Sequence, residues 1–98
     1  MTFSINKNGS ALEIAVAGRL DTVTAPDLEK ALTPVPEGID TIVYDFSKLD
    51  YISSAGLRVI LRTHRGMRMG GRSKVVGANP VVRQVFTATG FDDIVEFE

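Results

Sequence analysis

The sequence predicts an α/β fold built on a mixed sheet, with an N-terminal hairpin followed by strands that alternate with helices in the order β-β-α-β-α-β-α-β. Three observations carry that expectation. The stretch "FSINKNGSALEIAVAG" alternates apolar and polar residues on both sides of an Asn8-Gly9 pair. "IDTIVYDF" is an apolar, β-branched run lying between two segments of helical pattern. From Ser54 onward, apolar residues recur at helical spacing beside a row of arginines. Helices placed between strands imply a partly parallel sheet with the helices packed on it.

In the hairpin, Phe3 and Ile5 alternate with polar residues, as do Leu12, Ile14 and Val16. Asn-Gly is the preferred pair for a two-residue turn because both positions tolerate positive φ. A turn on Asn8-Gly9 pairs Ile5 with Leu12 and Phe3 with Ile14, and puts all four on one face. The first helix is expected after Thr24 as its cap, with Asp27 completing a reciprocal cap and Pro26 in the first turn. Ala25, Leu28 and Leu32 give it an apolar stripe. "TPVPEG" then breaks the chain before the buried strand. On the helix after the serines, Gly56, Val59, Ile60, Thr63 and Met67 fall on one side with Leu57 at its edge. Arg58, Arg62, Arg65, Arg68 and Arg72 fall on the other. "GGRSKVVGA" holds a loop and a short strand. "NPVVRQVFTATGF" reads as a helix capped by Asn79, with Pro80 first, Gly90 as a left-handed stop, and Val82, Val85 and Phe86 facing the core. "DIVEFE" supplies the last strand.

A chain of 98 residues fits one domain, 1–98. Its net charge of −1 creates no field that would draw it to nucleic acid or to a membrane surface. It has no cysteine, which excludes disulfides and thiolate metal sites and suits a reducing compartment. No apolar run approaches the ~20 residues of a membrane-spanning helix, and "MTFSINKNG" lacks the pattern of a secretory signal. The expectation is a soluble cytoplasmic domain.

Catalysis finds little support. A serine hydrolase needs a base within hydrogen-bond reach of its nucleophile. The one histidine, His64, lies ten residues beyond Ser54 on the same helix, about 15 Å along the axis. Ile52 stands where a nucleophile elbow needs glycine. His64 is therefore read as a partly buried helix residue. With one histidine and no cysteine a metal site is not expected. No calcium loop is present, and "GMRMGGR" has neither the spacing nor the preceding strand of a phosphate loop. Asp45, read at a strand end, suggests an aspartyl phosphate acceptor but lacks the acidic pair and late lysine that would accompany it. Asp92-Asp93 reads as solvated. No cofactor is implied. Residues 58 to 74 hold six of the eleven lysines and arginines and no acid. Few aromatics accompany them, so a solvated helix face or a protein contact is favoured over nucleic acid.

Ser53 and Ser54 stand where a strand gives way to a helix. Serine is among the best helix caps, worth about 1 kcal/mol. A phosphate on a serine at a helix start is also tolerated by the fold, because it meets unpaired N–H groups and the positive end of the dipole. It would add about −1.5 to −2 charges to a neutral spot. Arg58 lies one turn beyond Ser54, and Ala55 and Gly56 keep the surrounding surface low. These residues describe a surface that another chain can cover until an anion appears on it.

The chain resembles the bacterial anti-sigma factor antagonists, which are STAS domains. The residues that carry the likeness are "VAGRLDTVTAPDLEKAL", "IVYDFSKLDYISSAGLRVIL" and "VVGANPVVRQVFTATGFDDIVEF". The resemblance implies a STAS-like fold and a partner-switching function. In that function the unmodified antagonist binds an anti-sigma factor that is also a serine kinase and so frees a sigma factor. The kinase phosphorylates the antagonist and escapes it, and a serine phosphatase restores it. The protein is then a substrate and regulator, not an enzyme. Aligned on Gly56-Leu57, the family's phosphorylated serine falls on Ser54, with Ser53 as the secondary candidate. Ser53 replaces a common aspartate, and Ala55 replaces a second hydroxyl. The implied partner surface comprises Asp21, Thr22, Ser53, Ser54, Ala55, Gly56, Leu57 and Arg58, with the Asn79-Pro80 turn as a secondary neighbour. A rival expectation is a constitutive, unphosphorylated STAS adaptor subunit of a transport or signalling complex.

Overall fold

The computed structural model, which describes residues 1–98, sets five strands in one sheet in sequence order. They are β1 (Thr2–Asn8), β2 (Ala11–Leu20), β3 (Thr41–Ile52), β4 (Arg72–Val76) and β5 (Val95–Phe97). Between them run α1 (Ala25–Leu32), α2 (Ser54–Arg65) and α3 (Pro80–Thr89), so the observed order is the expected one. β1 and β2 are antiparallel, and every later pair is parallel.

Period-two alternation decides which face is buried. Leu12, Ile14 and Val16 of β2 and Ile42, Tyr44 and Phe46 of β3 are buried, whereas Glu13, Ala15 and Asp45 between them are exposed. The helices close the apolar face with Ala25, Leu28 and Leu32 from α1, Leu57, Val59 and Ile60 from α2, and Val82 and Phe86 from α3. Phe86 meets Phe97 edge to face at 5.3 Å, a favoured aromatic geometry. Val85, expected in the core, is half-buried at its margin. His64 is half-buried, its Nδ1 2.8 Å from the buried Ser73 hydroxyl.

The hairpin differs from expectation in register. Asn8 pairs with Ala11, Ile5 with Ile14 and Phe3 with Val16, so the turn residues are Gly9-Ser10. Gly9 alone takes a positive φ, 63°. The reason lies outside the hairpin. The Ser10 carbonyl accepts the Asp40 N–H at 2.9 Å and Ala11 joins the ladder with Thr41, which fixes where β2 begins. A two-residue slip preserves every facing direction, so the core side chains are unaffected.

β3 also runs six residues past the "IDTIVYDF" stretch. Its pairing with β2 shifts between Ala15 and Ala17 and again between Gly18 and Arg19. These bulges change the burial spacing of β3 from two to three, giving Phe46, Leu49 and Ile52. Simple alternation does not reveal a strand of that kind. Asp45 is consequently mid-strand on the open face, not at a strand end, and its carboxylate accepts the Ser47 N–H at 3.0 Å.

α1 lacks the reciprocal cap expected of Thr24 and Asp27. Thr24 is already helical in φ and ψ and makes no side-chain cap. The Asp21 carboxylate instead accepts the N–H groups of Val23 and Thr24, in the turn that precedes α1. α2 ends at Arg65, so Arg68 lies in the following loop and Arg72 opens β4, where it pairs with Glu96 at 2.6 Å. The arginine row is thus interrupted in space. α3 follows expectation closely: the Asn79 side chain accepts the Val82 N–H at 2.8 Å, and Gly90 stops the helix at φ 77°. Asp92 and Asp93 sit exposed in a short 3-10 turn. No helix is long and apolar enough to cross a membrane.

Candidate functional site

The parallel ladder of β2 and β3 ends at the pair Leu20 and Ile52. One residue on, the Ser53 N–H donates to the Leu20 carbonyl at 2.9 Å. The chain leaving β2 and the chain entering α2 are therefore held side by side at the C-terminal ends of two parallel strands, where open α/β sheets commonly carry their sites.

Asp21 organises the first of these segments. Its carboxylate accepts the Val23 N–H at 3.0 Å and the Thr24 N–H at 3.1 Å. The Thr24 hydroxyl accepts the Asp21 N–H at 2.9 Å and donates to the Arg19 carbonyl at 2.8 Å. The Thr24 N–H holds the Asp21 carboxyl below the usual carboxylate range against an opposing desolvation, helped by the Thr24 hydroxyl, the Val23 N–H and Arg19. This network fixes the loop and turns Thr22 and Val23 to solvent. Val23 is 83% exposed, unusual for a β-branched apolar side chain. Sequence reasoning passed over Val23, although a lone valine between two threonines in a turn is a usable signal. It also passed over Arg19, whose guanidinium lies 4.5 Å from the centre of the Tyr51 ring.

In the second segment the two serines differ. Ser53 is the N-cap in extended conformation, yet its hydroxyl makes no capping bond, against expectation. Its Oγ is buried and has no hydrogen-bond partner. Ser54, the first residue of α2, is exposed. Ala55 is half-buried, and Gly56 and Leu57 are buried. Gly56 is required by packing: a Cβ there would lie 2.8 Å from both Ile52 Cγ1 and Leu20 Cγ. Glycine lets α2 settle onto the strand ends, and so sets the height of Ser54 beside the Asp21 loop. Arg58 is exposed and makes no ion pair, whereas Arg62 is held by both carboxylate oxygens of Glu29 at 2.6 and 2.7 Å.

Asp21, Thr22 and residues 53 to 58 thus come together at one end of the sheet. A groove of 610 Å³ between α1 and α2 continues from them, lined by Thr22, Ala55, Arg58 and Lys30 among others. Asn79 stands further along, donating from its amide to the Leu49 carbonyl at 3.0 Å. His64 is near the opposite end of α2 from Ser54 and is engaged with Ser73, so no base faces the serine. No three His, Cys, Asp or Glu residues cluster as metal ligands. What this geometry offers is a surface at the end of the sheet on which the Ser54 and Thr22 side chains are exposed.

Residues 2–98 match the STAS domain family, and the chain belongs to that family. Within it, the chain is 36% identical over 93 residues to BtrV of Bordetella bronchiseptica, a protein named as an anti-sigma factor antagonist, covering 93% of this chain and 80% of that one. It is 28% identical over 85 residues to the anti-sigma-B factor antagonist of Staphylococcus aureus, with 85% and 79% covered. The crystal structure of an anti-sigma factor antagonist from Mycobacterium paratuberculosis superposes with a TM-score of 0.85 at 27% identity, over 98% of this chain and 83% of that one.

Proposed function

We propose that this protein is an anti-sigma factor antagonist controlled by phosphorylation of Ser54. In its unmodified form it binds an anti-sigma factor through the Asp21 loop and the start of α2, and so releases a sigma factor. The anti-sigma factor is also a serine kinase, and modification of Ser54 ends the complex; a serine phosphatase reverses it. The protein serves as ligand and substrate, with no catalytic role of its own and no direct contact with nucleic acid or membrane.

The observation that carries this reading is the contrast between neighbouring hydroxyls. Ser54 is open to solvent on the first turn of α2, while the Ser53 Oγ is enclosed. A kinase reaches the first and not the second. The relatives' names support the wider function. The small, half-buried Ala55 beside Ser54 offers a low apolar surface, so a partner packed there loses contact when a phosphate is introduced. A hundredfold loss of affinity corresponds to about 2.7 kcal/mol, within reach of a desolvated anion at an interface.

The test is mass mapping after incubation with ATP, magnesium and each candidate serine kinase of the same genome, beside affinity measurement. Phosphate is expected on Ser54, with the Ser54→Ala protein unmodified and bound to the kinase in the presence of ATP. Full modification of the alanine variant would refute the site. A stable complex with no phosphate under any condition would replace this reading with the constitutive adaptor.

A further inference from the structure

We propose that Arg58 is the internal counter-ion of a phosphorylated Ser54, fixing the phosphate as a dianion on the docking face. This rests on Ser54 being the modified residue. Both residues lie on α2, four positions apart, where side chains are neighbours with Cβ atoms about 5–6 Å apart.

On the first two turns of α2, Arg58 is the cation available for that task. Arg62 is taken by Glu29 through two short bonds. Arg19 is stacked on Tyr51 and lies 3.6 Å from Asp21. The Asp21 carboxylate is occupied by the Val23 and Thr24 N–H groups. Lys30 stands on the α1 wall of the groove. Arg58 has no carboxylate, and the first turn of α2 contains no acidic residue. A helix start ordinarily favours negative charge, so this one combines an uncompensated dipole end with an unpaired guanidinium.

A phosphate on Ser54 supplies the missing anion. Arg58 then pins it through charge-assisted hydrogen bonds, in place of a mobile, partly protonated group. The switch becomes a fixed wall across the surface that the partner covers. The modification also withdraws the Arg58 charge from whatever the unmodified face presents to that partner.

The experiment uses the full chain carrying phosphoserine at position 54, installed by semisynthesis, and follows the phosphate by 31P NMR from pH 4 to 8. The second phosphate pKa is expected to lie lower than in the Arg58→Gln protein by about 0.5 or more, from the loss of one close opposite charge. Arg58→Lys should retain part of that difference, and Arg62→Gln should leave it in place. Titration of the Arg58→Gln phosphoprotein within 0.1 of the parent (roughly the resolution of the comparison) overturns the proposal. Arg58 makes no hydrogen bond or ion pair in the fold, so the variants report on the phosphate and not on unfolding. Affinity for the anti-sigma factor, measured on the same samples, separates the two ideas. A phosphate that weakens binding without the Arg58-dependent shift refutes the counter-ion alone. A shift without weakened binding refutes the switch.

Discussion

Replacing Gly56 by alanine tests whether close approach of α2 to the strand ends builds the docking face. Two effects oppose each other. Alanine within a helix is favoured over glycine by about 1 kcal/mol. Against this, the new Cβ would sit 2.8 Å from Ile52 Cγ1, 2.8 Å from Leu20 Cγ and 3.1 Å from Leu20 Cδ2. Ile52 and Leu20 are both 0% exposed and have nowhere to retreat. Overpacking a well-filled core costs about 1–3 kcal/mol. With two contacts inside 3.0 Å the upper part of that range applies, leaving a net loss of about 1–2 kcal/mol. For a domain of this size each kcal/mol lowers Tm by about 4–8 °C. Thermal and urea unfolding of parent and variant give the number directly. Leu20→Ala removes two of the three colliding atoms and leaves Ile52 Cγ1, so the double variant should be less destabilised than the sum of the singles by about 1 kcal/mol, a coupling expected only of touching side chains. A Gly56→Ala protein as stable as the parent, with additive behaviour in the cycle, would show that α2 does not rest on Leu20 and Ile52 in this way.

Three further outcomes are expected. Asn79→Ala removes the cap on the Val82 N–H and the bond to the Leu49 carbonyl, and should cost about 1–2 kcal/mol in urea unfolding; a neutral effect would mean that neither bond contributes. The buried Tyr44 hydroxyl has no hydrogen-bond partner, and burial pushes its pKa up. Tyr44→Phe should therefore be neutral or stabilising within about 1 kcal/mol, and a larger loss would reveal a partner for that hydroxyl. The carboxyls of Asp21 and Asp45 are both lowered, chiefly by the backbone N–H groups of Thr24 and Ser47 respectively. Between each folded pKa and the unfolded value of about 3.9, the unfolded chain binds more protons, so stability rises with pH. Their contribution is complete above that value and is lost as pH falls through the folded pKa. Carboxyl NMR titrations should place both midpoints below 3.9, and a midpoint at or above it would contradict the loop geometry around that residue.

Part of this protein was legible in one dimension. Alternation in β1 and β2 and helical spacing in α2 each follow from burying one side of a regular element, and side-chain chemistry alone expresses that. Asn79 and Gly90 bound α3 as expected because both signals act on their own few residues. The juxtaposition of "GRLDTVT" with "DYISSAGL" entered through family resemblance; periodicity contains nothing that would bring Asp21 beside Ser53.

Where local chemistry and distant contacts competed, the distant contacts won. Asn8-Gly9 is the better turn pair in isolation, but the hydrogen bond that the Asp40 N–H donates to the Ser10 carbonyl and the pairing of Ala11 with β3 moved the turn by one residue. Ser53 has a capping side chain in a capping position, yet its N–H is committed to Leu20 and its hydroxyl points inward without a partner. The sequence by itself determined the element order, the buried face and the position of the helix that begins with Ser54. Tertiary structure decided which of two adjacent serines faces solvent, and that glycine must lie beneath them. Those outcomes depend on how closely α2 approaches β2 and β3, a distance set by side chains more than thirty residues apart in the chain.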